Sequence, residues 1–135
     1  MLKRVLPVSF MLLLLAGAVA FSGDSPEAVY RKYSAAIQSK DLDELNKYLS
    51  SQRREELNKE TPEDRQKMIE LIAAFMPKST RIVEQQISPD DRKATLKLVG
   101  IGGISGKDEV FGKVTMVKED WEWKINSEEW SNSEP

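Results

Sequence analysis

From Pro26 onward the apolar residues recur first every three to four positions and then, past Pro77, every two. The first spacing puts apolar side chains on one face of a helix, the second on one face of a strand. Ser25-Pro26 opens the first helix, with a serine cap and a proline at a position whose N–H has no partner to lose. Val29, Tyr33, Ala36 and Ile37 form its apolar face. Asp41 and Glu44 start a second, short helix that buries Leu42, Leu45, Tyr48 and Leu49. Residues 51–67 are dense in charge of both signs and read as a solvated helical face with i,i+4 pairs. Thr61-Pro62 caps a third helix, with Met68, Leu71, Ile72, Phe75 and Met76 inward and Pro77 as its stop.

The strands follow without a linker. Thr80–Ile87 leads to a turn at Ser88-Pro89-Asp90-Asp91, and Lys93–Ile101 puts Ala94, Leu96 and Leu98 on one face. Val110–Lys118 carries Val110, Val114 and Met116 on one face and Phe111 and Val117 on the other. After a tight turn at Glu119-Asp120, Trp121, Trp123 and Ile125 share a face of the fourth strand, and Trp130 lies beyond it. Helices followed by strands predict an α+β domain, with three N-terminal helices packed on a four-stranded antiparallel meander.

The N-terminus changes the picture of where this domain works. Lys3 and Arg4 precede an apolar run to Ala20 that ends Ala18-Val19-Ala20, the three parts of a secretory signal peptide cleaved after Ala20. The run is shorter than the roughly 20 apolar residues of a spanning helix and carries Pro7, so no stable membrane insertion is expected after cleavage. The expected organisation is a leader at 1–20, one domain at 21–131 and a tail at 132–135. Losing Lys3 and Arg4 takes the basic count from 20 to 18 against 22 acidic residues, a net charge of −4. That balance argues against a nucleic-acid partner, which calls for clustered basic residues. A chain with no cysteine that is exported, to the periplasm or the extracellular space, must fold on its hydrophobic core alone.

Histidine is absent as well, which removes Ser-His-Asp and Cys-His catalysis, histidine zinc sites and histidine proton shuttles. No metal or cofactor is implied. The glycine-rich stretch Gly100–Lys107 misses the phosphate-loop spacing by one residue, puts Asp108 where a Ser/Thr is needed, and is followed by no helix. It reads as a hairpin loop. The carboxylate pairs Glu55/Glu56, Asp90/Asp91, Asp108/Glu109 and Glu128/Glu129 fall in a charged helix, turns and the tail and read as solvated surface, with nothing to mark one desolvated in a cleft.

Two segments carry a resemblance. Val29-Tyr30-Arg31-Lys32-Tyr33 through Lys40-Asp41-Leu42-Asp43-Glu44-Leu45, and Gly112-Lys113-Val114 through Lys118-Glu119-Asp120-Trp121-Glu122-Trp123-Lys124-Ile125, resemble the opening helices and closing hairpin of the ketosteroid isomerase/nuclear transport factor 2-like superfamily. The resemblance covers most of residues 25–130 and implies a curved, cone-shaped sheet around helices, with a pocket at its open end. The resemblance implies, from the steroid isomerases of that superfamily, an oxyanion-hole tyrosine on the first helix and an aspartate base. Tyr33 aligns with the tyrosine, whereas Ser51–Leu57 is a charged stretch without a base. The expected function is therefore non-catalytic binding of a small apolar ligand or a protein partner, with Tyr33, Phe75, Trp121 and Trp123 lining the pocket. The alternative is a lyase or isomerase using Tyr33. Apolar residues on both faces of Val110–Lys118 also fit a homodimer.

Overall fold

The structure is a computed structural model and describes residues 23–134; the expected leader and its cleavage site lie outside them. Among the described residues four helices precede four strands: α1 (Pro26–Gln38), α2 (Leu42–Asn46), α3 (Ser51–Asn58), α4 (Pro62–Phe75), β1 (Lys78–Ile87), β2 (Lys93–Gly102), β3 (Asp108–Glu119) and β4 (Glu122–Ser131). The strands form an open antiparallel sheet in the order β1-β2-β3-β4, the expected meander. The helix count differs from the three expected. Ser50 ends the preceding turn and accepts from the Arg53 amide, so the charged stretch starts a helix of its own, with no buried residue.

Local chemistry places α1 and α2 where the pattern predicted. Ser25 accepts from the Ala28 amide, Asp41 from the Glu44 amide, and Lys40 breaks between the helices at a φ of 57°. Val29, Tyr30, Tyr33, Ala36 and Ile37 of α1 are buried against the sheet's inner face, built from Ala94, Leu96, Leu98, Val114, Met116 and Ile125. Leu96 and Val114 are fully enclosed, and each such side chain contributes about 1.5–3 kcal/mol. The outer face carries Lys97, Val99, Phe111 and Lys113 and is covered by no described element.

Two local features of β4 decide what faces the helices. The β3–β4 turn is Asp120-Trp121, with Glu119 opposite Glu122, one residue later than expected. Trp121 therefore leaves the strand and does not share a face with Trp123. The second feature is a bulge: Met116 pairs with Ile125 and Thr115 with Ser127, leaving Asn126 as an extra residue. Past the bulge the alternation shifts by one. Glu128 lies opposite the buried Val114 and Trp130 opposite Gly112, both on the inner face. A Cβ on Gly112 would stand 2.9 Å from three ring atoms of Trp130, so the glycine makes room for the indole. The strand runs to Ser131, and neither Glu128 nor Trp130 belongs to a tail.

Helix α4 departs most from expectation. Its only buried residue is Ile69, with Met76 buried just past its end, while Met68, Leu71, Ile72 and Phe75 are exposed. The helix rests on α1 and α2 by a narrow seam instead of lying on the sheet. The apolar stripe that period 3.6 identifies is real, but it is not the buried face.

Candidate functional site

A cleft of about 340 Å³ opens between the C-terminal half of α4 and the end of β4. Ile72, Phe75 and Met76 form one wall, Tyr33 and Leu49 the floor, and Trp130 the far side. A second cavity of about 310 Å³ shares Tyr33, Leu49, Arg53 and Ile72 with it and runs under α4 toward Leu57 and Met68. Of the exposed stripe of α4, Ile72 lines both, Phe75 the first and Met68 the second.

The polar centre of the cleft is Glu128. Its carboxylate accepts hydrogen bonds from the hydroxyls of Tyr30 (2.8 Å) and Tyr33 (2.9 Å) and from the indole Nε1–H of Trp130 (3.2 Å). The two phenols reach it from successive turns of α1, three residues apart, with ring centroids separated by 5.8 Å. Burial first, and then the charge of Glu128, pushes both phenols well above their ordinary value. They stay protonated and act as donors. Each hydroxyl has a single proton, and both protons are committed to Glu128. The one cation in the cleft wall, Arg53, is held by Glu56 at 2.9 Å. Chemically, the arrangement is an apolar slot around a carboxylate whose donors are already supplied. The knot also ties α1 to the end of β4, which fixes the cleft's floor.

The structure divides the four residues expected to share one pocket. Tyr33 is buried and Phe75 is 79% exposed, and both line the α4–β4 cleft. Trp121 and Trp123 line a separate cleft of about 480 Å³ beside the β3–β4 turn. Trp123 is core, whereas Trp121 is 91% exposed. Sequence reasoning passed over Tyr30, Glu128 and Trp130. Tyr30 could have been found, since it sits three residues from Tyr33 on the same helix face. Glu128 could not, because strict alternation from Trp123 and Ile125 puts Ser127 and Glu129 inward, and only the Asn126 bulge reverses them. Among the described residues, no group of three or more acidic side chains is placed to hold a metal ion. No helix among them is long and apolar enough to cross a membrane.

Fold and cleft together define the class: an α+β domain with its helices on one face of an open four-stranded antiparallel meander. No protein-family model matches the sequence, and no curated protein matches it. Among solved structures it is similar to a SEC-C motif-containing protein from Rhodopseudomonas palustris, with a TM-score of 0.54 and 18% identity over 78% of this chain and 77% of that one. It is also similar to the intermembrane space region of the chloroplast protein ARC6, with a TM-score of 0.52 and 9% identity over 83% of this chain and 99% of that one. A DUF4783 family protein from Bacteroides uniformis aligns at a TM-score of 0.49 and 17% identity, over 83% of this chain and 100% of that one. At such identities the likeness is one of fold alone.

Proposed function

We propose that this chain is an exported, non-catalytic binding domain of the nuclear transport factor 2-like type that takes a small apolar ligand in the α4–β4 cleft. The observation that carries the reading is the row Met68, Ile72 and Phe75, left exposed along the lip of two adjoining apolar cavities. Each volume lies within the few hundred Å³ usual for small-molecule sites. Water contact on three large apolar side chains disfavours the free state, and a ligand that covers them recovers that free energy. Because α4 buries little of itself, it is the element that yields to admit a guest. Export rests on Lys3, Arg4 and the apolar run to Ala20.

The test is fluorescence of 1-anilinonaphthalene-8-sulfonate with the mature protein and with Ile72→Lys. Saturable binding by the parent, weakened about tenfold or more in the variant, supports the cleft. Equal binding by both removes it.

A second reading is favoured by one specific observation, the 2.9 Å bond between Tyr33 and Glu128. In a lyase or isomerase, Glu128 would be the carboxylate missing from the sequence-level alternative, with Tyr33 as the electrophilic donor. Its weakness is that three internal donors already hold Glu128. Exchange of α-protons of simple ketones into D₂O, lost in Glu128→Gln, would favour catalysis, and no exchange above buffer would end it.

A further inference from the structure

The cleft beside the β3–β4 turn is separate from the α4–β4 cleft, and its tryptophan has no local explanation. Asp120 and Trp121 take positive φ angles of 50° and 67°, the pattern of a two-residue hairpin turn that favours Asn-Gly. Glycine would hold this turn at no steric cost, whereas a bulky side chain there is strained. Nor does the indole gain from burial, since it is 91% exposed. A large aromatic kept in a strained, solvent-facing position points to contact with something outside the chain.

What it meets follows from the cleft's other walls. Tyr48 and Trp123 line it, and its volume is about 480 Å³. The charged groups around it are paired. Lys47 holds Glu44 at 2.8 Å, Lys124 holds Glu122 at 3.1 Å and the Lys47 carbonyl at 2.6 Å, and Asp24 holds Lys32. Arg54 is engaged by the Leu49 carbonyl at 2.8 Å and lies 3.7 Å from Glu119. With no uncompensated cation among the described residues that line it, the cleft is poorly suited to an anion. It is poorly suited to a cation as well, because Lys47, Arg54 and Lys124 line it against only Asp24 and Glu122, and the Trp123 face is already taken by the Lys118 ammonium, 4.7 Å from the ring centroid. What remains is an exposed aromatic face ringed by both donors and acceptors, with the Lys47, Glu122 and Asp24 side chains half or more exposed. A neutral sugar ring has the complementary chemistry. Its C–H face lies against the negative face of the indole, and its hydroxyls both donate and accept.

We infer that this cleft is a carbohydrate-binding site in which a neutral sugar ring stacks on Trp121. The three tryptophans give three indole N–H signals in ¹H–¹⁵N spectra, and the mature protein is titrated with chitotetraose, with maltoheptaose and with adenosine. The inference predicts a saturable shift of the Trp121 signal with at least one oligosaccharide, and no shift of Trp130. In Trp121→Gly the affinity falls about tenfold or more, while relief of the turn raises Tm by about 4 °C. It is overturned if neither oligosaccharide moves the Trp121 signal at millimolar concentration. Unchanged binding by Trp121→Gly also overturns it, as does a lower Tm, which would make the indole structural. A shift with adenosine alone overturns it in favour of a planar aromatic ligand.

Discussion

Raising the pH above 10 probes the Tyr30–Tyr33–Glu128 knot directly. Burial and the neighbouring carboxylate hold both phenols above their ordinary value of 10.0. In the unfolded chain they ionise near that value. Because the folded pKa lies above the unfolded one, the stabilisation is complete below pH 10 and is lost as pH rises beyond it. Each phenol that ionises only on unfolding lowers stability by about 1.4 kcal/mol per pH unit, so the pair contributes about 2.7 kcal/mol per unit. The assay is urea unfolding followed by tryptophan fluorescence at pH values on either side of 10, with phenolate absorbance of the native protein recorded alongside. The Tyr30→Phe/Tyr33→Phe double variant loses stability less steeply than the parent by about that amount per unit. The chain has three tyrosines, and the half-exposed Tyr48 is itself raised by its hydrogen bond to Glu44, so at most one phenolate titrates before unfolding. Equal slopes for parent and variant, or three phenols ionising together in the native protein, would refute the reasoning.

Four further outcomes follow from the same geometry. Glu128→Leu leaves three donors without an acceptor and costs about 3–5 kcal/mol in urea unfolding, while Glu128→Gln keeps part of the set and costs about 1–2 kcal/mol. Near-neutral stability of the leucine variant would mean that the knot does not hold β4 to α1. Gly112→Ala puts a methyl 2.9 Å from the Trp130 ring and costs about 1–3 kcal/mol, visible as a lowered denaturation midpoint; an unchanged midpoint would contradict the packing described. Leu96→Ala, at a fully enclosed position, costs about 2–5 kcal/mol by the same measurement, and a loss below that range would place Leu96 outside the core. Phe75→Ser changes stability by no more than about 0.5 kcal/mol, because the ring is largely exposed, yet it weakens uptake of the apolar probe. A large stability loss there would make Phe75 a packing residue instead of a lip residue.

The elements were legible wherever local chemistry decides them. Ser25, Asp41 and Thr61 cap the helices that follow, and the alternation in Lys93–Ile101 and Val110–Lys118 places Leu96, Leu98, Val114 and Met116 in the core. Apart from the separate helix α3, the failures concern which face a correctly placed element turns to its neighbours. Helix α4 carries the periodic stripe, but its seam with α1 and α2 is set by tertiary packing, so Ile69 is buried and Phe75 is not. In β4 a one-residue difference in the turn takes Trp121 out of the strand, and a one-residue bulge at Asn126 turns Glu128 and Trp130 inward. Because strand side chains alternate with period two, a shift of one residue reverses every later assignment. The polar centre of the site lies downstream of both events, which is why composition and period together missed it. Tyr33 lies on the expected face because helix α1 is regular from cap to end.

The central claim is that the α4–β4 cleft holds a small apolar molecule. Native mass spectrometry of the exported protein, compared with Ile72→Lys, tests it most directly. The account predicts a co-purifying small molecule on the parent, lost from the variant, with the polypeptide mass expected for cleavage after Ala20. A bare parent protein that also takes up no apolar probe would contradict it.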